Sequence, residues 1–349
     1  MAFLSFHNVA IRGIAGCVPR HTEENKGLSI LNEGEDDSII SMTGIERRHV
    51  VDDSTTCSDL CIKAFDRLIE DLGWKRSSVD AIGYISMTHD HLQPPTACLL
   101  QKRLGLSEEC YALDMNQGCP GWLIGLSTMA SLVNSGAIKR AVLLNGDINS
   151  KLCSPYDTEI RPLFSDAGVV TAIEYDEKAP AMEFHIGTRG DDKAIIVEDG
   201  GIVNPLSAKS FEWKIGGDGI KRMAFHSKMD GMSVFSFGIS AAPKSVKSLC
   251  EHFGIESGII DKFYFHNANH FMNEKIRKKL KIDDSKVPYI LKDYGNASSA
   301  SIPLNIILNG DCENNKVQKC IACAFGVGLQ WGSVHFVLDH IVCPSLIMC

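Results

Sequence analysis

Short apolar runs typical of β-strands alternate with helical patterns along both halves of the 349-residue chain. This alternation predicts an α/β fold built in layers, with reactive groups placed where strands end. The predicted strands are residues 81–86, 110–113, 141–146, 263–265, 319–325 and 333–338. The predicted helices are residues 60–72, 96–104, 123–136, 243–252, 271–280 and 301–308.

Composition excludes several classes of protein. Hydrophobic residues make up 44% of the chain, which suffices for a large core, and the length allows two domains of ordinary size. The net charge of −8 argues against a nucleic-acid partner, because phosphate-binding surfaces carry an excess of Lys and Arg. No run of about 18 apolar residues occurs, so we expect no membrane span.

The 13 cysteines are odd in number and scattered, so they do not resemble the disulfide framework of a secreted domain. Residues 1–16 lack the charged and apolar regions of a signal peptide, and together these features predict a reducing, cytoplasmic location. Cys320 and Cys323 form a C-x-x-C pair in a strand-like run. We interpret this pair as structural and predict no metal site, because a structural zinc site needs four convergent ligands.

Cys119 is the strongest candidate for a reactive residue. It lies in a tight turn between a strand-like run and a long helical pattern, with Gly118 before it and Gly121 after it. We expect such a cysteine to be exposed at a helix N-terminus, where free N–H groups and the helix dipole favour thiolate over thiol. A thiolate can carry an acyl group as a thioester, whereas a buried inert thiol is the alternative.

A histidine and an asparagine occur in similar settings. His266 ends the aromatic strand 263–265, and Asn296 lies in a turn of small polar residues that leads into the helical pattern 301–308. Taken alone, a histidine at a strand end is usually an ordinary hydrogen-bonding residue. Three such residues, each at the start of a helix, can converge on one pocket.

Six segments, in order, resemble the motifs of the β-ketoacyl-acyl carrier protein synthase III family of the thiolase superfamily. The turn at 114–122 resembles the nucleophile motif D-x-x-x-x-C-x-G-F, and HNAN at 266–269 resembles H-Q-A-N. The remaining segments are TGIERR at 43–48, LFSDAG at 163–168, YGNASSASIP at 294–303 and AFGVGLQWG at 324–332.

This resemblance implies the thiolase fold, an α/β fold of two similar layered halves (αβαβα) related by a pseudo-two-fold axis. Residues 1–173 would form the half with Cys119, and residues 174–349 the half with His266 and Asn296. The resemblance also implies a homodimer with no permanently bound cofactor. Its substrates would be thioesters of coenzyme A or of acyl carrier protein.

The implied reaction is a decarboxylative Claisen condensation in fatty-acid-related, secondary or cell-envelope metabolism. An acyl group loads onto Cys119, and the backbone N–H groups of Cys119 and Val327 form the oxyanion hole. His266 and Asn296 then hydrogen-bond the carbonyl of a malonyl thioester while it loses CO₂. Asn296 suits this step, since a carboxylate there would repel an enolate oxygen.

The chain departs from the family where coenzyme A is usually held. Ser38, Met42 and Thr158 occupy the positions of a Trp and two basic residues that clamp the nucleotide, and Phe271 replaces an Arg used in carrier docking. The sequence therefore identifies no cofactor-binding residue. It predicts a preference for carrier-bound or otherwise unusual acyl donors.

The helical segment 273–281 is strongly basic within an otherwise acidic chain. Acyl carrier proteins are acidic, so a local basic patch would steer them, although a solvated helix face explains the charges equally well. The candidate docking residues are Lys275, Arg277, Lys278 and Lys279.

Two alternative functions stay open at this point. In one, an alcohol or amine attacks acyl-Cys119 in an acyl transfer; in the other, the chain is a non-catalytic subunit with the thiolase fold. Residues 187–218 are rich in Gly and Asp and lack periodicity. They predict a plain surface loop or, alternatively, an insertion over the pocket.

Overall fold

The computed structural model describes residues 2–190, 193–310 and 317–349. The helices are α1 (Glu35–Thr43), α2 (Cys57–Asp71), α3 (Thr96–Arg103), α4 (Gly121–Asn134), α5 (Gly231–Phe253), α6 (His270–Leu280), α7 (Leu291–Tyr294) and α8 (Ser301–Asn309). The strands of the first half are β1 (Ala2–Phe6), β2 (Val9–Val18), β3 (Thr22–Glu24), β4 (Arg47–His49), β5 (Ala81–Ile85), β6 (Tyr111–Met115), β7 (Arg140–Asp147) and β8 (Ala167–Tyr175). Those of the second half are β9 (Met182–Thr188), β10 (Ile195–Val197), β11 (Lys214–Ile215), β12 (Lys221–Arg222), β13 (Ser227–Met229), β14 (Lys262–Phe265), β15 (Gln318–Gly326), β16 (Gln330–Leu338) and β17 (Ile347–Met348).

Two mixed sheets form the framework. The six-stranded sheet has the order β17-β2-β8-β7-β5-β6, and the five-stranded sheet has the order β1-β9-β16-β15-β14. Strand β5 runs parallel to both β6 and β7, whereas β8 runs antiparallel to β7 and β2. The parallel strands β5 and β6 therefore end on the same edge, where the turn with Cys119 begins.

Helices cover both outer faces and fill the space between the sheets. Helix α4 contacts strands of both sheets, and α8 lies with it in this middle layer. Helices α2 and α3 pack on the six-stranded sheet, while α5 packs on the five-stranded sheet and carries α6. The layer order is α–β–α–β–α, as the resemblance to the thiolase superfamily implies. Helix α4 is buried on most sides, which explains its nearly continuous apolar sequence.

Each of the two large sheets includes one strand from the opposite end of the chain. Strand β1 pairs with β9 in the five-stranded sheet, and β17 pairs with β2 in the six-stranded sheet. Strand β8 ends at Tyr175, and the chain then crosses to β9 in the other sheet. The division into residues 1–173 and 174–349 stays a prediction.

Two sequence predictions differ from the structure. Helix α5 begins at Gly231, not at residue 243, because the Asp230 side chain accepts a hydrogen bond from the Ser233 N–H (3.0 Å) and caps the helix. Pro243 lies inside this helix and does not start it. In the segment 187–218, β10 pairs with β13, so the described residues there are more than a plain loop.

Among the described residues, we find no helix with the length and apolarity needed to cross a membrane.

The packing of α4 between the sheets can be tested with Gly125→Ala. A Cβ at Gly125 would lie 1.9 Å from Ile85 Cδ1 and 2.8 Å from Leu143 Cδ1. We expect the free energy of unfolding to fall by about 1–3 kcal/mol, because overpacking outweighs the helix propensity of Ala. Thermal or guanidinium denaturation measures the change. Gly231→Ala in α5 is the control, since a Cβ there meets nothing within 4 Å; equal stability of both variants would contradict the prediction.

Candidate active site

Cys119 lies in a tight turn between β6 and α4. The Gly121 N–H donates to the Gly118 carbonyl (2.7 Å), which closes the turn immediately before the helix. Both glycines are needed because neighbouring side chains crowd the backbone. A Cβ at Gly118 would lie 2.9 Å from Met87 Cε, and one at Gly121 would lie 2.7 Å from Ile85 Cγ2. The turn thus holds Cys119 at the N-terminus of α4.

The expectation of an exposed cysteine that favours the thiolate is wrong. Cys119 is only 7% exposed. Burial, followed by the negative charge of Asp147, raises the pKa of its thiol to about 12. The Ser298 side chain and the backbone N–H groups of Cys119 and Val327 act in the opposite direction. Desolvation outweighs the helix terminus, so the resting residue is a protonated thiol.

The end of β15 presses directly on the cysteine. A Cβ at Gly326 would lie 2.7 Å from Cys119 Cβ and 3.0 Å from Cys119 Sγ. Because Gly326 has no side chain, the following residue, Val327, can bring its N–H to the sulfur. The N–H groups of Cys119 and Val327 therefore come from different halves of the chain and meet at one atom.

His266 follows β14 and is 2% exposed. Its N–H donates to the Cys323 carbonyl (2.8 Å), and its ring meets the Phe325 ring edge-on at 5.9 Å. Burial lowers the pKa of His266 to about 4, opposed by a hydrogen bond to the Ser298 backbone. Nδ1 has no hydrogen-bond partner among the described residues. The imidazole is therefore neutral near pH 7.

Asn296 is fixed by its backbone and by one side-chain oxygen. Its N–H donates to the Leu163 carbonyl (2.9 Å), and its carbonyl accepts from the Ser165 N–H (3.0 Å). The side-chain Oδ1 accepts from the Ser298 N–H (3.0 Å), whereas Nδ2 makes only a long contact of 3.5 Å with the Ala268 carbonyl. The oxygen is thus occupied, whereas the amide nitrogen is only weakly engaged by this long contact.

Cys119, His266 and Asn296 line a single cavity of about 1060 Å³, together with Phe325 and Gly326. The structure therefore brings together the three residues that the sequence singled out. The walls beyond them are mainly apolar, and the Phe271 ring stacks on Phe235 at 5.6 Å between centroids. Further apolar wall residues are Leu31, Ile39, Met42, Leu163, Ile195, Met229, Met232, Val234 and Met272.

The positions expected to clamp a nucleotide lie along this cavity but carry no charge. Ser38, Met42 and Thr158 all line it. Of the described residues in the lining, Lys228 is the one Lys or Arg. The acidic residues in the lining are Glu35, Glu159, Asp218 and Asp230. The described lining therefore lacks the charged clamp that was expected at these positions.

The candidate docking residues differ in their surroundings. Arg277 forms an ion pair with Glu274 (2.7 Å), and Lys279 donates to the Ile239 carbonyl (3.2 Å). Lys275 lies over the ring of Phe271 at 5.2 Å, beside the cavity. Lys278 is exposed and lies 3.9 Å from the Glu274 carboxylate. Lys275 and Lys278 are thus the residues best placed to meet a partner.

Ile195 and Asp218, from the segment 187–218, also line the cavity. Part of this segment therefore lies over the pocket, as the less favoured interpretation of the sequence proposed. Two further residues at the site had no role assigned from the sequence, Asp147 and Ser298. Both act on the Cys119 thiol, and only their position in three dimensions shows this.

Among the described residues, no group of three or more His, Cys, Asp or Glu side chains could hold a metal ion. Cys320 and Cys323 are both buried in β15.

A cysteine in a strand-to-helix turn, a neutral histidine and an asparagine line one cavity within five alternating layers, which is the arrangement that the sequence resemblance implies for a condensing enzyme of the thiolase fold. Residues 113–190 match the family described as 3-oxoacyl-[acyl-carrier-protein (ACP)] synthase III, and residues 250–338 match its C-terminal part. The β-ketoacyl-[acyl-carrier-protein] synthase III of Streptococcus agalactiae is 31% identical over 329 residues, 93% of this chain and 97% of that protein. The protein of the same name from Lactococcus lactis is 28% identical over 93% of this chain and 97% of its own length.

A crystal structure of a 3-oxoacyl-(acyl-carrier protein) synthase from Burkholderia xenovorans LB400 superposes with a TM-score of 0.93 at 33% identity, covering 100% of this chain and 99% of that one. The chain belongs to the 3-oxoacyl-[acyl-carrier-protein] synthase III family. The predicted thiolase fold and the predicted class of enzyme, an acyltransferase that condenses acyl groups, are thereby confirmed.

The contact between Gly326 and Cys119 can be tested with Gly326→Ala. The new methyl group would displace the sulfur or the Val327 N–H, so we expect acylation of Cys119 to slow on the order of 10²-fold. Mass spectrometry of the acylated protein measures the rate. Gly332→Ala in β16 is the control, since a Cβ there makes ordinary contacts from 3.4 Å. Unchanged acylation in Gly326→Ala would contradict the prediction.

Proposed function

We propose that this enzyme loads an acyl group onto Cys119 and condenses it with a malonyl thioester that loses CO₂. The observation that carries the proposal is the convergence of Cys119, His266 and Asn296 on one largely apolar cavity. The substrates are thioesters, as in the family to which the chain belongs, and the product is a 3-oxoacyl thioester.

Loading is a transfer between two thioesters. The Cys119 sulfur attacks the carbonyl carbon of the donor, the new S–C bond forms, and the donor thiol leaves. Negative charge develops on the carbonyl oxygen, and the N–H groups of Cys119 and Val327 supply two donors at this place. Removing one such donor typically costs about 10²–10³ in rate.

Condensation needs neutral hydrogen-bond donors. When the malonyl thioester loses CO₂, the electron pair of the broken C–C bond moves into an enolate. Asn296 Nδ2 and the neutral imidazole of His266 can each donate to the enolate oxygen. The enolate carbon then attacks the acyl-Cys119 carbonyl, a C–C bond forms, and the Cys119 S–C bond breaks. Two donors at the cavity favour this reaction over acyl transfer to an alcohol or amine, and they argue against a non-catalytic subunit.

The acyl donor proposed here is carried by an acyl carrier protein in preference to free coenzyme A. The cavity lining offers several carboxylates and, among the described residues, Lys228 as its one Lys or Arg. Phosphate groups would meet this negative charge without the usual clamp. Lys275 lies beside the cavity, Lys278 is exposed further along α6, and both can attract an acidic carrier protein.

We also propose a homodimer. Strand β6 forms an edge of the six-stranded sheet, directly before the nucleophile turn, and Tyr111 at its start is 53% exposed. Edge strands of this kind are natural sites for pairing with a second chain. Light scattering after size-exclusion chromatography would measure the number of chains in the assembly.

We further propose a cytoplasmic location, because the cysteines of the described residues are all free thiols.

The division of labour within the site predicts distinct defects. Cys119→Ala should abolish acylation. His266→Ala and Asn296→Ala should still acylate Cys119 in a single turnover, but CO₂ release from the malonyl thioester should fall by about 10²–10³. Acyl mass is read by peptide mass spectrometry, and CO₂ release from carboxyl-labelled malonyl thioester. An acyl group on another cysteine, or loss of loading with intact decarboxylation, would refute these roles.

The donor preference predicts a higher kcat/KM for an acyl group on carrier protein than for the same group on coenzyme A. Lys275→Glu should lower kcat/KM for the carrier substrate alone, and added salt should do the same, because the attraction is screened. Lys247→Glu is the matched control. Lys247 is also an exposed lysine, but it lies near the C-terminal end of α5, whereas the N-terminal end of that helix lines the cavity. Equal or better use of the coenzyme A thioester, with no effect of salt on the carrier reaction, would overturn the preference.

A further inference from the structure

A buried carboxylate lies at the end of β7, behind the nucleophile. Asp147 is fully buried, and its Oδ1 accepts hydrogen bonds from the Met87 N–H (2.7 Å) and the Ser86 hydroxyl (3.1 Å). Its Oδ2 has no hydrogen-bond partner among the described residues. The titratable groups around Asp147 are Cys57 on α2, His89 after β5, and Cys119. An unpaired buried oxygen is costly, so it calls for a role.

Ser298 stands between this carboxylate and the nucleophile. Its hydroxyl is buried and forms no hydrogen bond of regular geometry within the described residues. It nevertheless lies close enough to Cys119 and to Asp147 to lower the pKa of both. The backbone of Ser298 adopts a left-handed conformation (φ 50°), held by the bond from its N–H to Asn296 Oδ1. Such a conformation is uncommon for a residue other than glycine and often marks a functional site.

The buried thiol needs a proton acceptor before it can attack a thioester. His266 is a poor one, because its imidazole is a weak base in this buried environment. Burial raises the pKa of Asp147 to about 6, so near pH 7 the carboxylate is ionised and is a stronger base than an ordinary aspartate.

We propose that Asp147 is a positioning residue that takes up the Cys119 proton through the Ser298 hydroxyl. As the Cys119 sulfur bonds to the donor carbonyl carbon, its proton moves to Ser298 Oγ, and the hydroxyl proton of Ser298 moves to Asp147 Oδ2. The departing donor thiolate takes a proton from solvent. When condensation breaks the S–C bond, the proton on Asp147 returns by the same path to the Cys119 thiolate.

This inference rests on Cys119 being the nucleophile of the proposed function, so its test uses a reagent that needs no acyl donor. Iodoacetamide alkylates cysteine thiolates, and peptide mass spectrometry reads the rate at Cys119 alone between about pH 5 and 9. The variants are Asp147→Asn, which keeps the size of the side chain, and Ser298→Ala. Ser299→Ala is the matched control, because Ser299 is also buried but accepts its hydrogen bond from Asn145 Nδ2 (3.3 Å).

We expect alkylation of the native enzyme to fall below about pH 6, where Asp147 becomes protonated, and to level off above it. Asp147→Asn and Ser298→Ala should each slow the reaction at pH 7 by about tenfold or more, consistent with the lower range of general-base effects. Their rates should then rise with hydroxide and show no plateau. Ser299→Ala should keep the native profile.

Faster alkylation of Cys119 in Asp147→Asn than in the native enzyme would overturn the proposal. If Asp147 only repels the thiolate through space, Asp147→Asn removes that repulsion and Cys119 should react faster at pH 7. A native rate in Ser298→Ala would also refute the relay, and this variant decides the matter if Asp147→Asn does not fold. Failure of Cys119 to take any acyl group would sink the proposed function and leave the alkylation profile unaffected.

Discussion

The close contact between Gly326 and Cys119 is the constraint on which the rest of the site depends. It joins the end of β15 to the turn that carries Cys119, with no Gly326 side chain between them. This contact lets Val327 and Cys119 direct their N–H groups at the same sulfur. A side chain larger than hydrogen at Gly326 would separate the two donors. The proposed oxyanion hole therefore depends on the packing of β15 against this turn as well as on the turn itself.

The same burial sets the charge state of the reacting groups. It raises the pKa of the Cys119 thiol and lowers that of the His266 imidazole, so both are neutral near pH 7. Neutral donors suit an enolate, which a nearby carboxylate would repel. The consequence is that the thiol cannot ionise unaided, because the helix terminus does not offset the desolvation. The proposed proton transfer to Asp147 would resolve this conflict.

The sequence predicts the layered fold and the three residues of the site because both depend on local patterns. Strand and helix periods repeat along the chain, and each of the three residues lies at a turn that its glycines and polar neighbours reveal. Burial of Cys119 is not predictable in this way, since β15 covers it from about 200 residues away in sequence. The link from Asp147 to Ser298 is hidden for the same reason. The sequence does not predict the early start of α5, because Pro243 resembles a helix start, whereas Asp230 caps the helix more than three turns earlier.

The cavity and the surface around it contact different parts of an acyl donor. The apolar walls, including Phe235 and Phe271, can bind an acyl chain or a linker through burial of apolar area, but they do not distinguish one carrier of that chain from another. The carboxylates of the lining oppose a nucleotide phosphate, and the residues that would clamp it are uncharged. Under the proposed preference for a carrier protein, discrimination comes from outside the cavity, where Lys275 lies over Phe271 at the start of α6. Binding energy gained there can support the chemistry at Cys119, because contacts far from the reacting atoms contribute to catalysis when they position the substrate.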